Sequence, residues 1–239
     1  EISEKLENNF NKELLINKGF VQAFNELISK LVKSKDLSKT KNIKLNEIKV
    51  MIDSFTIKEE KFINKIYHLN LGVTFNKKKV FSYLEKKNIF PAQIITETFL
   101  FIPIIFNQEE DDLLVFLNNH IYNNWNEINN KIFLINYLLP TDDLEDLNLI
   151  KENSSNIENY DFKKIIEKYF LNHSIVALVF KDKEEIKVLS KIIIKEKKII
   201  LNNSFKNFNF NNKKKIANLI NELKIIYEDV WKDQNQINT

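Results

Sequence analysis

The chain has 239 residues, with 36 basic and 33 acidic residues, no Cys, two Gly, three Pro and 19 Phe. Its length accommodates one large domain or two small ones, and its 44% apolar and 29% charged residues are ordinary for a globular protein. Without Cys the chain cannot hold disulfides, thiolate zinc sites, iron–sulfur clusters or cysteine nucleophiles.

Glycine and histidine usage excludes several common sites. Gly19 and Gly72 are the two glycines, so a Walker A loop and a dinucleotide fingerprint, which need several glycines at fixed offsets, are both absent. The G-x-S-x-G nucleophile elbow, the EF-hand and the H-E-x-x-H zinc motif are absent as well. Every basic residue is Lys, which lacks the planar fork that Arg offers to phosphate or guanine. No apolar run reaches the roughly 18 residues of a membrane-spanning helix.

The N-terminal region is predicted to be mainly helical. Apolar residues recur near helical spacing over 2–35, which predicts a long amphipathic helix with room for one interruption. Gly19 lies inside this helix, and we expect another element to approach closely there. A polar, Lys-rich connection follows at Lys33–Lys44, and residues 46–55 form a short predicted helix.

A β-hairpin and a helix come next. Residues 61–75 alternate between apolar and polar side chains, which is typical of a strand with one solvated face. A shorter strand at 55–60 is its predicted hairpin partner. Asn76 is a suitable N-cap for a helix predicted over 77–88.

After Pro91 the pattern changes to continuous apolar runs, which suit strands buried on both faces. The runs are Phe99–Phe106, Ile132–Leu139 and Ile175–Phe180. Helices are predicted at 113–128, 142–150 and 161–171, strands at 185–194 and 198–205, and a C-terminal helix at 211–232. The predicted core stripe of the last helix is Ile216, Leu219, Leu223, Ile226 and Val230.

This order of elements predicts an α+β protein. An N-terminal helix, a β-hairpin and a helix precede an α/β-like region with a mixed sheet and a C-terminal helix. We predict an N-terminal α-β-β-α subdomain at 1–92 and a mixed α/β subdomain at 93–239. No fixed-period repeat and no linker rich in Pro, Gly or Ser accompanies the boundary.

Two acidic clusters are candidates for carboxylate chemistry. Paired carboxylates serve acid–base catalysis when they face each other across a cleft. The first cluster is Glu109–Asp112, and the second is Asp142, Asp143, Glu145 and Asp146. Each also has a local explanation, because acids favour a helix N-terminus and because Asp142 and Glu145 have the spacing of a capping box.

Other chemistry-bearing residues have ordinary structural explanations as well. His68, His120 and His173 are scattered singly, unlike metal ligands, and no metal or cofactor site is predicted. Ser38–Lys41 matches S-x-x-K without its companion motifs. Acidic residues interleave with the Lys clusters, which favours solvated faces over nucleic-acid contact. Trp125 and Trp231 lie in predicted amphipathic helices, as core residues, subunit contacts or ligand-stacking groups.

Several segments over about residues 10–180 resemble, in order, the bacterial family of unknown function DUF2066. Asp53–Phe62 followed by Tyr67–Phe75 is similar to its acidic turn, charged hairpin and alternating strand. Ile89–Pro91 and Phe101–Ile105 are similar to its V-L-V-L-P-V strand and the stretch before it, and Trp125 falls on its Trp-bearing helix. Leu138–Leu147 resembles its L-P-L-G-D-L-x-D-L element, with Thr141 in place of the Gly. The composition resembles that of an AT-rich alphaproteobacterium.

The resemblance implies export to the periplasm or cell envelope, since family members carry a signal peptide; the start at Glu1 fits a removed segment. It implies no catalytic residues. The leading hypothesis is therefore a non-enzymatic envelope interaction or assembly protein with protein partners, in which Trp125, Asp142, Asp143, Glu145 and Asp146 form an interaction or structural motif. The alternatives are an enzyme with an unrecognised carboxylate site and a weak binder of nucleic acid or an anionic surface.

Overall fold

The computed structural model describes residues 1–5, 10–108, 112–127 and 133–237. The chain divides into two units. The first is Glu1–Ile95 together with the chain from Glu228 onward, and the second is Thr96–Tyr227.

The C-terminal residues belong to the first unit, whereas the predicted subdomains 1–92 and 93–239 assign them to the second. The indole Nε1 of Trp231 donates to the carbonyl oxygen of Ile95 at 2.7 Å. The ammonium of Lys232 donates to the carbonyl oxygen of Val32 at 3.0 Å. These two contacts join residues about 140 to 200 positions apart in the sequence. No local sequence pattern predicts contacts over such a distance.

The first unit contains an antiparallel sheet in the order β1-β3-β2. Its strands are β1 (Ile2–Lys5), β2 (Ile52–Ile63) and β3 (Ile66–Phe75). Its helices are α1 (Lys12–Leu31), α2 (Leu45–Met51) and α3 (Lys77–Glu85), with a 3-10 segment at Ser34–Thr40. Buried side chains of all three helices form a core that includes Phe24, Ile48 and Leu84.

The prediction of one helix over 2–35 is wrong at its start. Ile2–Lys5 is a strand that pairs antiparallel with β3. Helix α1 begins only after Asn11, whose side-chain oxygen accepts from the backbone N–H of Glu13 at 2.8 Å. The predicted apolar position Leu6 lies outside the described residues. Four residues are too few for period-two alternation to be recognised against a helical pattern.

Gly19 confirms the prediction of a close approach. A Cβ atom at this position would lie 2.5 Å from Cδ1 of Leu71 and 2.9 Å from Cδ1 of Ile2. Glycine therefore lets α1 pack directly against β1 and β3.

The predicted hairpin is confirmed, with a different turn position. Asn64 and Lys65 join β2 to β3, and both have positive φ, 53° and 63°. Two such residues match the right-handed twist of the flanking strands, as in a type I′ turn. The predicted strand 61–75 is therefore divided between the end of β2, the turn and β3, and the predicted short helix at 46–55 ends at Met51.

Asn76 caps α3 as predicted, since its side-chain oxygen accepts from the backbone N–H of Lys79 at 3.0 Å. We expect Asn76→Ala to lower the free energy of unfolding of the first unit by about 1 kcal/mol, because that N–H loses its acceptor. Urea titration measures the change. Asn76→Ser, which keeps a capping oxygen, is the control and should retain most of the stability. An Ala variant as stable as the wild type would contradict the assignment.

The second unit contains a mixed sheet in the order β5-β4-β7-β8-β9, with β6 also pairing with β4. Its strands are β4 (Glu97–Asn107), β5 (Asp112–Leu114), β6 (Ile135–Leu138), β7 (His173–Asp182), β8 (Glu185–Ile194) and β9 (Lys197–Phe205). Its helices are α4 (His120–Asn124), α5 (Leu144–Glu152) and α6 (Lys163–Glu167). Helix α7 (Lys213–Gln234) begins in this unit and continues past its boundary at Tyr227.

Strand β4 runs parallel to β6 and β7, and the other pairings are antiparallel. The centres of β4 and β7 are buried along continuous runs, which confirms two of the three predicted strands with two covered faces. The prediction is wrong for Ile132–Leu139, because β6 covers only Ile135–Leu138 and exposes Asn136 and Leu138. The chain is α+β with a mixed sheet and a C-terminal helix, as predicted. None of the helices in the described part of the chain is long and apolar enough to cross a bilayer.

The predicted helix at 113–128 is wrong. Its residues form β5, a 3-10 turn, the short α4 and a second 3-10 turn at Trp125–Glu127. Phe116 has a φ of 50°, which an α-helix does not allow, so the predicted helix cannot run through this residue. Asn119 then starts α4, since its side chain donates to the carbonyl oxygen of Pro103 at 3.0 Å and accepts from the N–H of Ile121 at 2.8 Å. The predicted helix at 161–171 likewise shortens to α6.

The buried stripe of α7 differs from the prediction in its second half. Ile216, Leu219 and Leu223 are buried as predicted. Ile226 and Val230 are only half-buried, and Tyr227 and Trp231 are buried in their place. The stripe moves by one residue where the helix passes from one unit to the other.

Candidate functional site

The acidic residues predicted near the start of α5 are brought together there, but with different roles. Asp143 is the N-cap, and its Oδ1 accepts from the backbone N–H of Glu145 at 2.8 Å. The predicted cap at Asp142 is wrong, because the helix begins one residue later and leaves Asp142 exposed. Asp146 points inward from the first turn, with a side chain only 1% exposed.

Lys168, just after α6, joins three of these acids. Its Nζ lies 2.6 Å from Asp146 Oδ1 and 3.3 Å from both Asp143 Oδ2 and Glu145 Oε2. The hydrogen bond that its ammonium donates to Asp146 holds the pKa of Lys168 well above its ordinary value of 10.5. The pKa of Asp143 is lowered mainly by the hydrogen bond from the backbone N–H of Glu145, and to a smaller extent by the hydrogen bond from Lys168. These charges stabilise one another, so the cluster acts as an electrostatic link between α5 and the end of α6.

Trp125 is a core residue rather than an exposed contact. It is buried, and its ring stacks on Phe101 with centroids 3.7 Å apart. The ammonium of Lys224 donates to the carbonyl oxygen of Trp125 at 2.8 Å and lies 5.1 Å from the centre of its ring. The ring of Tyr137 lies 5.3 Å from the same ammonium. Desolvation by this apolar surrounding lowers the pKa of Lys224 to about 8.

The remaining sequence candidates do not assemble into a site. His120 stacks on Phe210 and the buried His173 on Phe99. No group of three or more His, Asp or Glu residues in the described ranges could hold a metal ion. Ser38 lies in the 3-10 segment, and Lys41 follows it directly. In the first acidic cluster, Asp112 starts β5, and residues 109–111 lie outside the described residues.

The first unit contains a cavity of about 770 Å³, which we call the β3 groove. Its size is that of small-molecule and peptide sites. Five parts of the unit form its walls: α1, the end of β3, the start of α3, the segment 92–95 and Ile237, which follows α7. The lining residues are Leu27, Leu31, Val73, Thr74, Phe75, Lys77, Val80, Phe81, Ala92, Gln93, Ile94, Ile95 and Ile237. Most are apolar, and Ile94 is 47% exposed at the opening.

A smaller cavity of about 40 Å³ lies along the same two elements. It is bounded by the side of α1 at Gly19, Gln22 and Glu26, and by Leu71 of β3. The two cavities therefore follow one another along α1 and β3, since the first occupies positions 27 and 31 of the helix and 73–75 of the strand.

Strand β3 has one open edge beside the groove. Strand β2 pairs along the whole length of β3, but β1 pairs only with residues 66–69. Within the described residues, positions 70–75 of β3 thus have no strand partner on the β1 side. The N–H of Asn76 points to the β2 side, where it donates to the carbonyl oxygen of Met51 at 2.8 Å. Because backbone groups alternate along a strand, those of Leu71, Val73 and Phe75 point to the open edge.

The two ends of this edge carry opposite charges. At the Phe75 end, Lys77 lies with its ammonium 5.3 Å from the ring of Phe81 and forms no ion pair within the described part of the chain. The first turn of α3 contains no acid. At the Leu71 end, Glu26 borders the small cavity and accepts from the side-chain amide of Gln22 at 2.9 Å.

The residues of the groove give a weak signal in the sequence. Val73 and Phe75 are recognisable as the apolar face of a strand, and they lie on that face in the structure. The segment after Pro91 has no periodicity that would place Ile94 beside them. The residues of β1, which pairs with the other end of β3, were predicted to be helical.

Comparison of the chain with models of protein families, with curated proteins and with solved structures finds no match to any of them.

Proposed function

We propose that the chain is a non-enzymatic interaction protein that binds a protein partner through the β3 groove. The observation that carries this proposal is a cavity of about 770 Å³ whose lining residues are mostly apolar. Grooves lined mostly by apolar side chains are a common form of peptide-binding site. The exposed Ile94 at the opening adds apolar surface that a partner would cover.

The cell envelope is the proposed place of this interaction. Its support is the resemblance to DUF2066, carried by segments such as Asp53–Phe62 and Phe101–Ile105. The proposed role is assembly or scaffolding of envelope proteins.

The enzyme alternative has less support in the geometry. Its best candidates, Asp143, Glu145 and Asp146, all contact Lys168. A general acid needs a proton and therefore a raised pKa, whereas the pKa of Asp143 is lowered.

Site-specific photo-crosslinking in the native cells or in a close relative tests the proposal. A tagged copy carries p-benzoylphenylalanine in place of Ile94, at the groove opening. The matched control carries it in place of Ile200, which is 54% exposed on β9 in the other unit. We expect irradiation to give adducts of discrete mass from position 94 in the periplasmic or membrane fraction, and none of these from position 200.

Two results would count against the proposal. Position 94 without adducts, or with the same adducts as position 200, would contradict binding through the groove. Recovery of the protein and its adducts in the cytoplasmic fraction would contradict the envelope location.

A further inference from the structure

We infer that β9 pairs with β9 of a second copy of this chain, antiparallel and in a single register, so that their six-stranded sheets join across a two-fold axis at Leu201. This inference goes beyond the proposed function, because it concerns the second unit and not the β3 groove. It assigns one occupant to the free edge of β9, which is another molecule of the same protein.

Strand β9 is an edge of the mixed sheet. Within the described ranges it pairs only with β8, through consecutive residue pairs from Lys197 to Phe205. It lies inside the chain, between the turn at 195–196 and the connection to α7 at 206–212, and neither of these segments pairs with its free edge. None of its nine residues is buried, and Ile200 is 54% exposed. The free edge is therefore accessible to another chain.

This edge lacks the features by which proteins prevent edge strands from pairing, which are short length, bulges, Pro and charges. It has no register shift, and Ile199–Asn203 at its centre contains no Pro and no charge. Two other edge strands of the chain differ. Strand β5 has only three residues, and β2 has two register shifts and four charged residues at 58–61. An unprotected edge of nine residues is a template for another strand.

The hairpin determines which backbone groups of β9 face outward. Residues 195–196 join β8 to β9, so Ile194 and Lys197 form the hydrogen-bonded pair that closes the turn. Because backbone groups alternate along a strand, those of the even-numbered residues in 198–204 point to the free edge. An antiparallel copy centred on Leu201 sets these residues opposite one another and forms about eight backbone hydrogen bonds.

Two-fold symmetry restricts the register of this pairing. Residues directly opposite one another lie on the same face of a sheet, and side chains alternate between the two faces along β9. An even-numbered residue must therefore oppose an even-numbered residue of the other copy. This condition requires the axis to pass through a residue, and the central residues of the strand are Ile200, Leu201 and Asn202.

The charges beside β9 select Leu201 as the centre. Glu196 and Lys206 lie one residue beyond the two ends of the strand, and both are exposed. Centring on Leu201 places Glu196 of each copy opposite Lys206 of the other, which forms two ion pairs. A centre one residue later would place Lys206 opposite Lys198, and like charges in that position are destabilising. A centre one residue earlier would give Glu196 no charged counterpart.

Apolar side chains meet at the centre of the inferred pairing. Leu201 lies opposite its counterpart on one face of the joined sheet. On the other face the two Ile200 side chains lie diagonally across from each other, within reach of contact. The pairing therefore covers Ile200, which is more than half exposed in the single chain.

Oxidation tests the register directly, because the chain contains no Cys. In the inferred dimer Leu201 and its counterpart form a non-hydrogen-bonded pair with Cα atoms about 4.5 Å apart, which is within reach of a disulfide. Full-length Leu201→Cys should therefore form a disulfide-linked dimer under mild oxidation, seen on a non-reducing gel.

The matched controls lie two residues away on the same face. Ile199→Cys alone should not crosslink, because its counterpart is displaced by four residues, about 13 Å along the strand. Asn203→Cys alone should not crosslink for the same reason. A mixture of these two variants should crosslink, since Ile199 lies opposite Asn203 of the other copy in the inferred register.

Charge exchange tests the same contact without a covalent bond. Sedimentation equilibrium of the wild type at up to about 0.5 mM should show a monomer–dimer equilibrium. Glu196→Lys should weaken the dimer about tenfold, because it places Lys beside Lys at both ends, and adding Lys206→Glu should restore it to within about threefold. Glu222→Lys, on the exposed side of α7, makes the same charge change and should alter the dimer less than about twofold.

Several outcomes would overturn the inference. These are a monomer at every concentration, equal crosslinking of Leu201→Cys and Ile199→Cys, or a double charge variant that dimerises no better than Glu196→Lys. A dimer that none of the β9 variants affects would place the contact on another surface and would overturn it as well.

The outcome can be separated from that of the proposed function. If Leu201→Cys crosslinks as expected while position 94 gives no adducts in cells, the dimer stands and binding through the β3 groove fails. If position 94 gives its own adducts while the purified chain remains a monomer, the proposed function stands and the β9 pairing fails. A photo-adduct from position 200 with the mass of two chains belongs to the dimer and not to the groove.

Discussion

Replacing Lys168 with Met is expected to lower the midpoint of thermal unfolding by about 5–10 °C. The reason lies in its partner, because the side chain of Asp146 is only 1% exposed and its Oδ1 is 2.6 Å from the ammonium. The other oxygen, Oδ2, has no hydrogen-bond partner among the described residues. Without Lys168, the buried carboxylate keeps its desolvation cost and loses its counter-charge. Differential scanning calorimetry measures the change.

A surface ion pair nearby supplies the control. Lys163 lies 3.6 Å from Glu167 on α6, and both side chains are largely exposed, 70% and 65%. Lys163→Met should therefore shift the midpoint by no more than about 2 °C. The double variant Lys168→Met with Asp146→Asn should recover part of the loss, because no buried charge remains. Equal midpoints for the Lys168 and Lys163 variants would show that the acidic cluster does not stabilise the second unit.

Raising the pH from 7.5 to 9.5 is expected to stabilise the wild type relative to Lys224→Met by about 2 kcal/mol. Burial lowers the pKa of Lys224 from 10.5 to about 8 in the folded protein. Between these two values the unfolded chain binds more protons at this group than the folded chain does, so stability rises with pH. The contribution is fully present above pH 10.5 and is lost as the pH falls through 8.

Urea titrations of both proteins across this range give the measurement. Taking the difference between the two proteins removes the contribution of the other lysines and of the tyrosines to the pH dependence, because both proteins contain them. The exposed Lys187 of β8, changed to Met, is the control for the loss of a lysine side chain. A difference for Lys224→Met that stays constant with pH would mean that the ammonium between Trp125 and Tyr137 is solvated in the folded protein.

These two predictions concern structure, and they separate it from the proposed binding site. Lys168 and Lys224 belong to the second unit, whereas the β3 groove is lined only by residues of the first. Variants of either lysine that remain folded should therefore still give the crosslinks expected from position 94. The acids that were candidates for catalysis and the buried Trp125 have roles in the stability of the second unit. The residues of the proposed binding site belong to no sequence motif.

Local pattern was sufficient wherever an element is defined by its own residues. The apolar runs at Phe99–Phe106 and Ile175–Phe180 predicted the buried strands correctly, because a strand covered on both faces needs apolar side chains throughout. Asn76 predicted its helix start, since the cap bonds to a backbone group three residues away. Gly19 predicted a close contact, because only a missing side chain allows it. The α+β class follows from the order of such elements.

Tertiary contact decided the remainder. Ile2–Lys5 is a strand because β3 lies beside it and supplies hydrogen-bonding partners. Four residues are too few to show the alternation that predicts a strand. Asn119 breaks the predicted helix at 113–128 by bonding to the distant Pro103.

The groove has the same origin. It exists because α1, β3, the start of α3, the chain after Pro91 and Ile237 meet there, although they are far apart in the sequence. Sequence alone determined those strands and helices whose own residues give a strong local signal. The fold determined which of these segments line the groove, because only the folded chain brings such distant residues together.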